Sequence, residues 1–371
     1  MRKNILIFGH NDATQFIDIF NQYTQLFDKN QYEVTVAYLS GEANEQTRKR
    51  TLAENALFLN VPKQKIRYLK IGAITQLLAL CREKNFEIVI CHRYKPTYIM
   101  LWVAQFLRIP ALVFVMHELK TMNALGRKGL IACLARRNMY FAGVSNAVRD
   151  DMRRHLWRIP KERIVTLYNM MDTVSSEASL LSRQDARKAL GLPEDVFVFA
   201  NIGRLAVNKD QATLIKAFAL MKPRHLKAKL VIAGNGELEQ ALKQQANEAG
   251  LAGDIIFTGF LANASQFMRA FDCFILSSIQ EAFGRVLLEA MIAKLPIIAT
   301  RVNGIPEVLG KTGMLIAPKD ASELSNRMQH IYHLSVNARA ELGESAYQQV
   351  NQHFSIPAFQ TQFWNLPLGV I

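Results

Sequence analysis

Cysteine is scarce: four occur in 371 residues, at positions 81, 91, 133 and 273, and none belongs to a C-x-x-C pair. A disulfide framework and a structural zinc site both need clustered Cys or Cys/His spacings, so this usage argues against either. The four thiols are expected to be buried and free, in a reducing compartment. Long hydrophobic runs are also missing. After Met1-Arg2-Lys3 the first apolar run covers only Ile5 to Phe8 and ends in Gly9-His10-Asn11-Asp12. That is too short for the core of a signal peptide, and no stretch is long and clean enough to span a bilayer. The same turn is not G-x-G-x-x-G, which speaks against a nicotinamide-binding N-terminus. Acidic residues are the minority charge, with 31 Asp+Glu against 45 Lys+Arg and a net charge of +14.

What is there begins with that excess. Lys120 to Arg163 holds eleven Lys/Arg against Asp150, Asp151 and Glu162, a local surplus of +8. Leu125, Leu130, Ile131, Leu134, Leu156 and Trp157 interleave it. A basic, apolar mixture suits an anionic membrane surface, and a solvated basic face with an ordinary core side is the equal alternative. A nucleic-acid partner would rest on charge alone, because no recognisable module accompanies it; none is expected. The expected location is cytoplasmic, peripheral on the inner membrane if the basic stretch docks there.

Apolar strand-like runs alternate with helix-like segments from the start: Asn4–Phe8, Glu33–Leu39, Glu87–Cys91, Ala111–Met116, Tyr140–Val144 and Ile164–Tyr168. The pattern restarts with a short helix, Arg183–Leu190, stopped by Gly191-Leu192-Pro193. Strands at Val196–Ile202, Leu230–Ala233, Ile255–Thr258, Cys273–Leu276, Pro296–Thr300 and Met314–Ile316 follow. Near-continuous apolar strands separated by helices mean parallel sheets covered on both faces. The fold class is α/β, with two tandem Rossmann-like domains facing across a cleft: 1–173, then 183–354. The Ser-rich stretch between them reads as a linker. Residues 355–371, carrying Phe359, Phe363 and Trp364, are expected to form a crossover helix packing back on the N-terminal domain.

In open parallel sheets, ligands bind beyond the carboxyl ends of the strands, and the chemistry-bearing residues of this chain lie there. His117-Glu118 follows Ala111–Met116, where a histidine can titrate or hydrogen-bond. Gly203-Arg204-Leu205 and Lys209-Asp210 follow Val196–Ile202. Glycine permits close backbone approach, and the two cations suit a diphosphate; a Lys209–Asp210 pair is the bland alternative. Gly234-Asn235-Gly236-Glu237 opens a helix, where amides attract anions. After Cys273–Leu276, the loop Ser277–Gly284 leads into the helix Arg285–Ala293, with Ala282, Phe283 and Gly284 at its N-terminal approach. Glu281 precedes that helix and Glu289 lies within it. Carboxylates accept sugar diols well; a Glu289–Arg285 pair is the alternative.

Gly203-Arg204-Leu205…Lys209-Asp210, Gly234-Asn235-Gly236, Glu281-x7-Glu289 and Asn303-Gly304-Ile305-Pro306-Glu307 together resemble the donor domain of retaining GT-B glycosyltransferases, most closely the GT4 family (glycosyltransferase group 1). Val144–Val148 and Leu167–Asp172 resemble family segments near the cleft. The resemblance implies transfer of a hexosyl or related sugar from a nucleotide sugar, with retention, to a hydroxyl of a glycan or lipid-linked acceptor, as in lipopolysaccharide or other cell-surface polysaccharide synthesis. It implies that Arg204 and Lys209 hold the diphosphate, Glu289 the ribose and Glu281 the donor sugar. Gly234, Ala282, Phe283 and Gly284 would approach the donor closely, and His117 would contact the sugar from the N-terminal domain. It implies no metal and no cofactor beyond the nucleotide sugar. The chain departs from the family's common pattern at Gly9-His10, where many members have Gly-Gly, and at Asn169-Met170, where many have Asn-Gly. A sugar-nucleotide epimerase or hydrolase of the same fold and a non-catalytic nucleotide-binding membrane adaptor are the competing readings.

Overall fold

Side chains on successive residues of a strand point to opposite faces, so a strand that is apolar throughout must be covered on both. The computed structural model, which describes residues 2–42, 45–62, 71–222 and 227–369, realises this twice. The first sheet contains β1 (Lys3–Gly9), β2 (Tyr32–Tyr38), β3 (Asn55–Phe58), β4 (Phe86–His92), β5 (Ala111–Met116), β6 (Met139–Gly143) and β7 (Ile164–Thr166). Its order is β3-β2-β1-β4-β5-β6-β7, parallel throughout. The second contains β8 (Phe197–Ile202), β9 (Ala228–Ala233), β10 (Ile255–Gly259), β11 (Cys273–Leu276), β12 (Ile297–Thr300) and β13 (Met314–Ile316). Its order is β10-β9-β8-β11-β12-β13, again all parallel. Every residue of β5 and of β11 is buried, as the unbroken apolar runs require. Each sheet reverses its order once, at β1/β4 and at β8/β11.

The chain divides into two compact units. The first takes in Met1–Met170 together with Ile356–Ile371, and the second is Met171–Ser355. The closing helix Ile356–Trp364 belongs to the first. There Phe359 meets Tyr23 with ring centroids 5.1 Å apart, and Phe363 and Trp364 meet Phe27 at 5.8 and 5.7 Å. The last two residues of the closing segment lie outside the described residues.

Four points change. The stretch read as a linker carries a helix, Thr173–Ala178, and lies inside the second unit. Asp172 caps it, its carboxylate accepting the Ser175 N–H at 3.0 Å. The Ser-rich composition hid an N-cap signal. Cysteines 81, 91 and 273 are buried, and burial pushes the Cys81 thiol up to about 12, but Cys133 is exposed. It sits at the end of the helix Leu125–Leu134, which buries only Ile131. The strand β3 is new. Finally, much of the basic stretch is tied into the fold. Arg153 donates to the carbonyls of Ile164 and Lys161 at 3.0 and 2.9 Å, and Arg149 to Asn146 and Asp150. Leu125 and Trp157 are nevertheless 83% and 72% exposed. Among the described residues no helix is long and apolar enough to cross a membrane.

Candidate active site

The second unit shapes its carboxyl edge with backbone. After β8, the Gly203 N–H donates to the Ala233 carbonyl and Leu205 N–H to Asn235 O, both at 2.9 Å. Gly234 has φ +138°, and a Cβ built there would lie 2.0 Å from the Gly203 carbonyl oxygen; one on Gly236 would lie 2.2 Å from Leu205 O. The loops after β8 and β9 are therefore laid against each other in a way that only glycine allows. Gln211, almost fully buried, donates to the Arg204 carbonyl at 3.2 Å and holds that turn.

The loop after β11 is fixed just as closely. Ile279 N–H donates to Asn208 O at 2.9 Å, and Ser277 Oγ to Lys209 O at 2.9 Å. On its other side the Gly304 N–H donates to Glu281 O, and Asn303 Oδ1 accepts the Glu281 N–H at 3.2 Å. A Cβ on Gly304 would meet Ala282 O at 2.3 Å. Asn303 itself holds φ +43°, a conformation that asparagine tolerates better than most residues. Gly284, at φ +90°, is the N-cap of the helix Arg285–Ile292 and supplies no side chain there. Phe283 is buried, and Glu289 is half-buried on the second turn of that helix.

Two adjacent features follow. The Lys209 ammonium is paired with the Glu281 carboxylate, with Ser278 Oγ 3.5 Å from the same oxygen. Lys209 is thus not paired with Asp210, whose carboxylate accepts from Thr213 at 2.8 Å. Beside this, Arg204, Asn208, Glu237, Ile279 and Gln280 line a cavity of about 340 Å³. The structure brings Lys209 to Glu281, Gly234 to Gly203, and Ala282 to Gly304, and it places Arg204 on the wall of the cavity.

The first unit arms the same edge of its sheet with imidazoles and cations. His117, just past β5, has Nε2 3.0 Å from Nδ1 of His92, the last residue of β4. His92 is buried against Phe20 and Tyr23, and burial, with His117 beside it, drives its pKa well below the usual histidine value. It is a neutral ring that fixes where His117 points and couples the two tautomers. His10, Arg93 and Lys95 complete the surroundings; His10 stood out in the sequence only as a departure from the family's common pattern, and Arg93, Lys95 and His92 did not stand out. They come from the ends of separate strands that only the sheet order makes neighbours.

Known proteins match both halves. The family described as Glycosyltransferase Family 4 matches residues 22–175, and Glycosyl transferases group 1 matches residues 182–349. The chain belongs to these GT4-like glycosyltransferases. Its fold is the GT-B fold of its structural neighbours. A glycosyltransferase from Rickettsia africae superposes with a TM-score of 0.83 at 15% identity, over 100% of this chain and 98% of that one. Anabaena HepE in complex with UDP superposes at 0.78 with 21% identity, over 98% of each. Among curated relatives, N-acetyl-alpha-D-glucosaminyl L-malate synthase of Bacillus anthracis is 25% identical over 310 residues, 80% of this chain and 79% of that protein. The chain spans less than half the length of the first curated relatives it matches, namely 41%, 48% and 26%. In this GT4-like chain Arg204, Lys209, Gly234, Glu281, Ala282, Phe283, Gly284 and Glu289 all lie in the group 1 match, and His117 lies in the family 4 match.

Proposed function

We propose that the protein transfers a hexosyl or related sugar from a nucleoside-diphosphate sugar to a hydroxyl of a glycan or lipid-linked acceptor, retaining anomeric configuration, in the synthesis of lipopolysaccharide or another cell-surface polysaccharide. The observation that carries this reading is the Lys209–Glu281 pair, held beside the Gly284 helix start by loops whose backbones are fixed. In it Arg204 and Lys209 neutralise the diphosphate, and the helix N-terminus adds partial positive charge. That charge is available without a metal or a cofactor. Glu289 accepts the ribose hydroxyls and Glu281 those of the donor sugar. Gly234 and Ala282 lie in the loops that frame the donor, and His117 is its contact from the first unit. As the glycosidic bond to phosphate breaks, the acceptor hydroxyl attacks from the same face and its proton passes to the leaving phosphate oxygen. Relatives with UDP bound make UDP the first nucleotide to try.

Thermal-shift screening of the full chain with UDP, GDP and ADP sugars tests the donor site. One of them is expected to stabilise the protein, and Glu289→Ala and Arg204→Ala are expected to abolish the shift. An unchanged shift in both variants would refute the site. Isomerised sugar without acceptor would replace the transferase reading with an epimerase. The reading also places the protein peripherally on the inner membrane through exposed apolar side chains of its basic stretch, Leu125 and Trp157 among them. Flotation with anionic liposomes at physiological salt is expected to carry it up, and Leu125→Ser/Trp157→Ser to leave it behind.

A further inference from the structure

The crevice of the first unit in which His117 lies carries charges that the donor reading does not use. In the order β3-β2-β1-β4-β5-β6-β7 the winding reverses between β1 and β4, and a crevice opens beyond the strand ends at such a point. Side chains of mostly one sign line it. His10 follows β1, Arg93 and Lys95 follow β4, Glu118 follows β5, and Lys120 and Arg127 come from the segment after it, enclosing about 330 Å³. Four permanent cations face one carboxylate, a surplus of +3. The carboxylate is already engaged, since Arg93 Nη2 lies 2.5 Å from Glu118 Oε1.

The cations are held in place. The Arg127 guanidinium lies 4.5 Å from the Tyr94 ring centroid and donates to the Thr121 carbonyl at 2.6 Å. Arg93 stacks on Phe16 at 4.7 Å. Lys95 Nζ is 3.3 Å from His10 Nε2. An ammonium can only donate, so Nε2 accepts and the proton of a neutral His10 sits on Nδ1. That Nδ1 is buried without a hydrogen-bond partner. Burial, with Lys95 and Arg93 nearby, lowers the His10 pKa to about 4, so the ring is neutral at physiological pH. A pocket for a neutral sugar would present acids and amides to its hydroxyls. This one presents fixed cations, which suit the planar fork and short contacts of an oxyanion.

We infer that this crevice binds an oxyanion, phosphate or carboxylate, carried by the acceptor, with Arg93, Lys95 and Arg127 as its grip. The acceptor is then an acid and not a neutral glycan. This rests on the transferase reading above and narrows its acceptor.

The test is calorimetric titration of the full chain, already saturated with whichever of UDP, GDP or ADP it binds, so that the donor site is closed to added anions. Inorganic phosphate, succinate and methyl glucoside are titrated in turn. Phosphate or succinate is expected to bind and the glucoside not to. Phosphate alone would assign a phosphorylated acceptor, succinate alone a carboxylated one. Lys95→Gln/Arg127→Gln is expected to weaken the anion at least ten-fold while nucleotide affinity stays within two-fold. If that pair costs nucleotide binding, Lys95→Gln alone serves, with at least a three-fold loss expected. Nucleotide binding with no anion binding, or anion binding untouched by the substitutions, overturns the inference. Anion binding in a chain that binds no nucleotide overturns the acceptor assignment together with the transferase reading, and so is told apart from a failed anion site.

Discussion

Two ion pairs in the second unit share their chemistry and differ in their setting. Arg187 and Asp272 lie at the amino ends of the strands, where Asp272 immediately precedes β11. Arg187 is 0% exposed and all three of its guanidinium nitrogens are engaged: it donates to Ala270, Pro193 and Glu194 carbonyls and, at 2.8 Å, to Asp272 Oδ2. The same carboxylate accepts the Val198 N–H and Arg183. Lys209 and Glu281 lie at the carboxyl ends, in loops, with side chains 19% and 15% exposed. Glu281 has one further polar neighbour, at 3.5 Å. A buried charge held through all three of its nitrogens cannot exchange partners without a large penalty. A partly exposed pair can give its oxygen and ammonium to a ligand that offers hydroxyls and phosphate in return. The first pair holds helix Arg183–Leu190 to the sheet, and the second is the one that the proposed function assigns to the donor.

That contrast is open to direct attack. Asp272→Ala should strip the buried guanidinium of its counterion and cost about 3–5 kcal/mol in urea unfolding, with nucleotide affinity of the folded fraction unchanged. Glu281→Gln should do the reverse: transfer falls by about 10²–10³, while stability moves by no more than about 1 kcal/mol. Equal losses of stability in the two variants would erase the distinction. Gly234→Ala probes the backbone that frames the second pair. A methyl 2.0 Å from the Gly203 oxygen at φ +138° should cost about 3 kcal/mol or displace the loop, seen in the same denaturation and in lost nucleotide binding.

The smallest expected effect is a pH slope from the first unit. His10 titrates near 6.5 when unfolded and near 4 when folded, so between those values the unfolded chain holds the extra proton. Its contribution to stability is complete above about 6.5 and is lost as pH falls toward 4. His92 shifts in the same direction. His10→Gln should flatten part of this decline in unfolding curves taken from pH 7 to pH 4. An unaltered slope would remove His10 from the account.

The strands and the loops at the carboxyl ends of β8, β9 and β11 were legible for the same reason: their residues carry local signals. β5 and β11 are unbroken apolar runs, and Gly234, Gly236 and Gly304 are needed by the backbone itself, so their positions mark the loops. β3 escaped although Ala56-Leu57-Phe58-Leu59 is apolar throughout, because so short a run does not by its periodicity tell a strand from a buried helical turn. The helix at Thr173–Ala178 escaped because composition was weighed above the Asp172 cap. The grouping of His10, His92, Arg93, Lys95 and Arg127 escaped for a different reason, although Gly9-His10 and the basic stretch that holds Arg127 each stand out locally. These residues are scattered over more than a hundred positions, and what gathers them is the placing of β1 beside β4 and β4 beside β5, which no local pattern encodes.

The isolated bridge between Met171 and Ser355, with Met171 N–H donating to Phe354 O at 2.8 Å, clasps the two ends of the second unit together. The chain leaves the first unit at Met170 and re-enters it at Ile356, so the second unit is a cassette spliced into a host whose last helix is made afterwards. A ribosome finishing this protein must complete the guest before the host can close its aromatic seam of Tyr23, Phe27, Phe359 and Phe363. A stop codon between Ile356 and Phe363 would therefore injure the unit that was begun first.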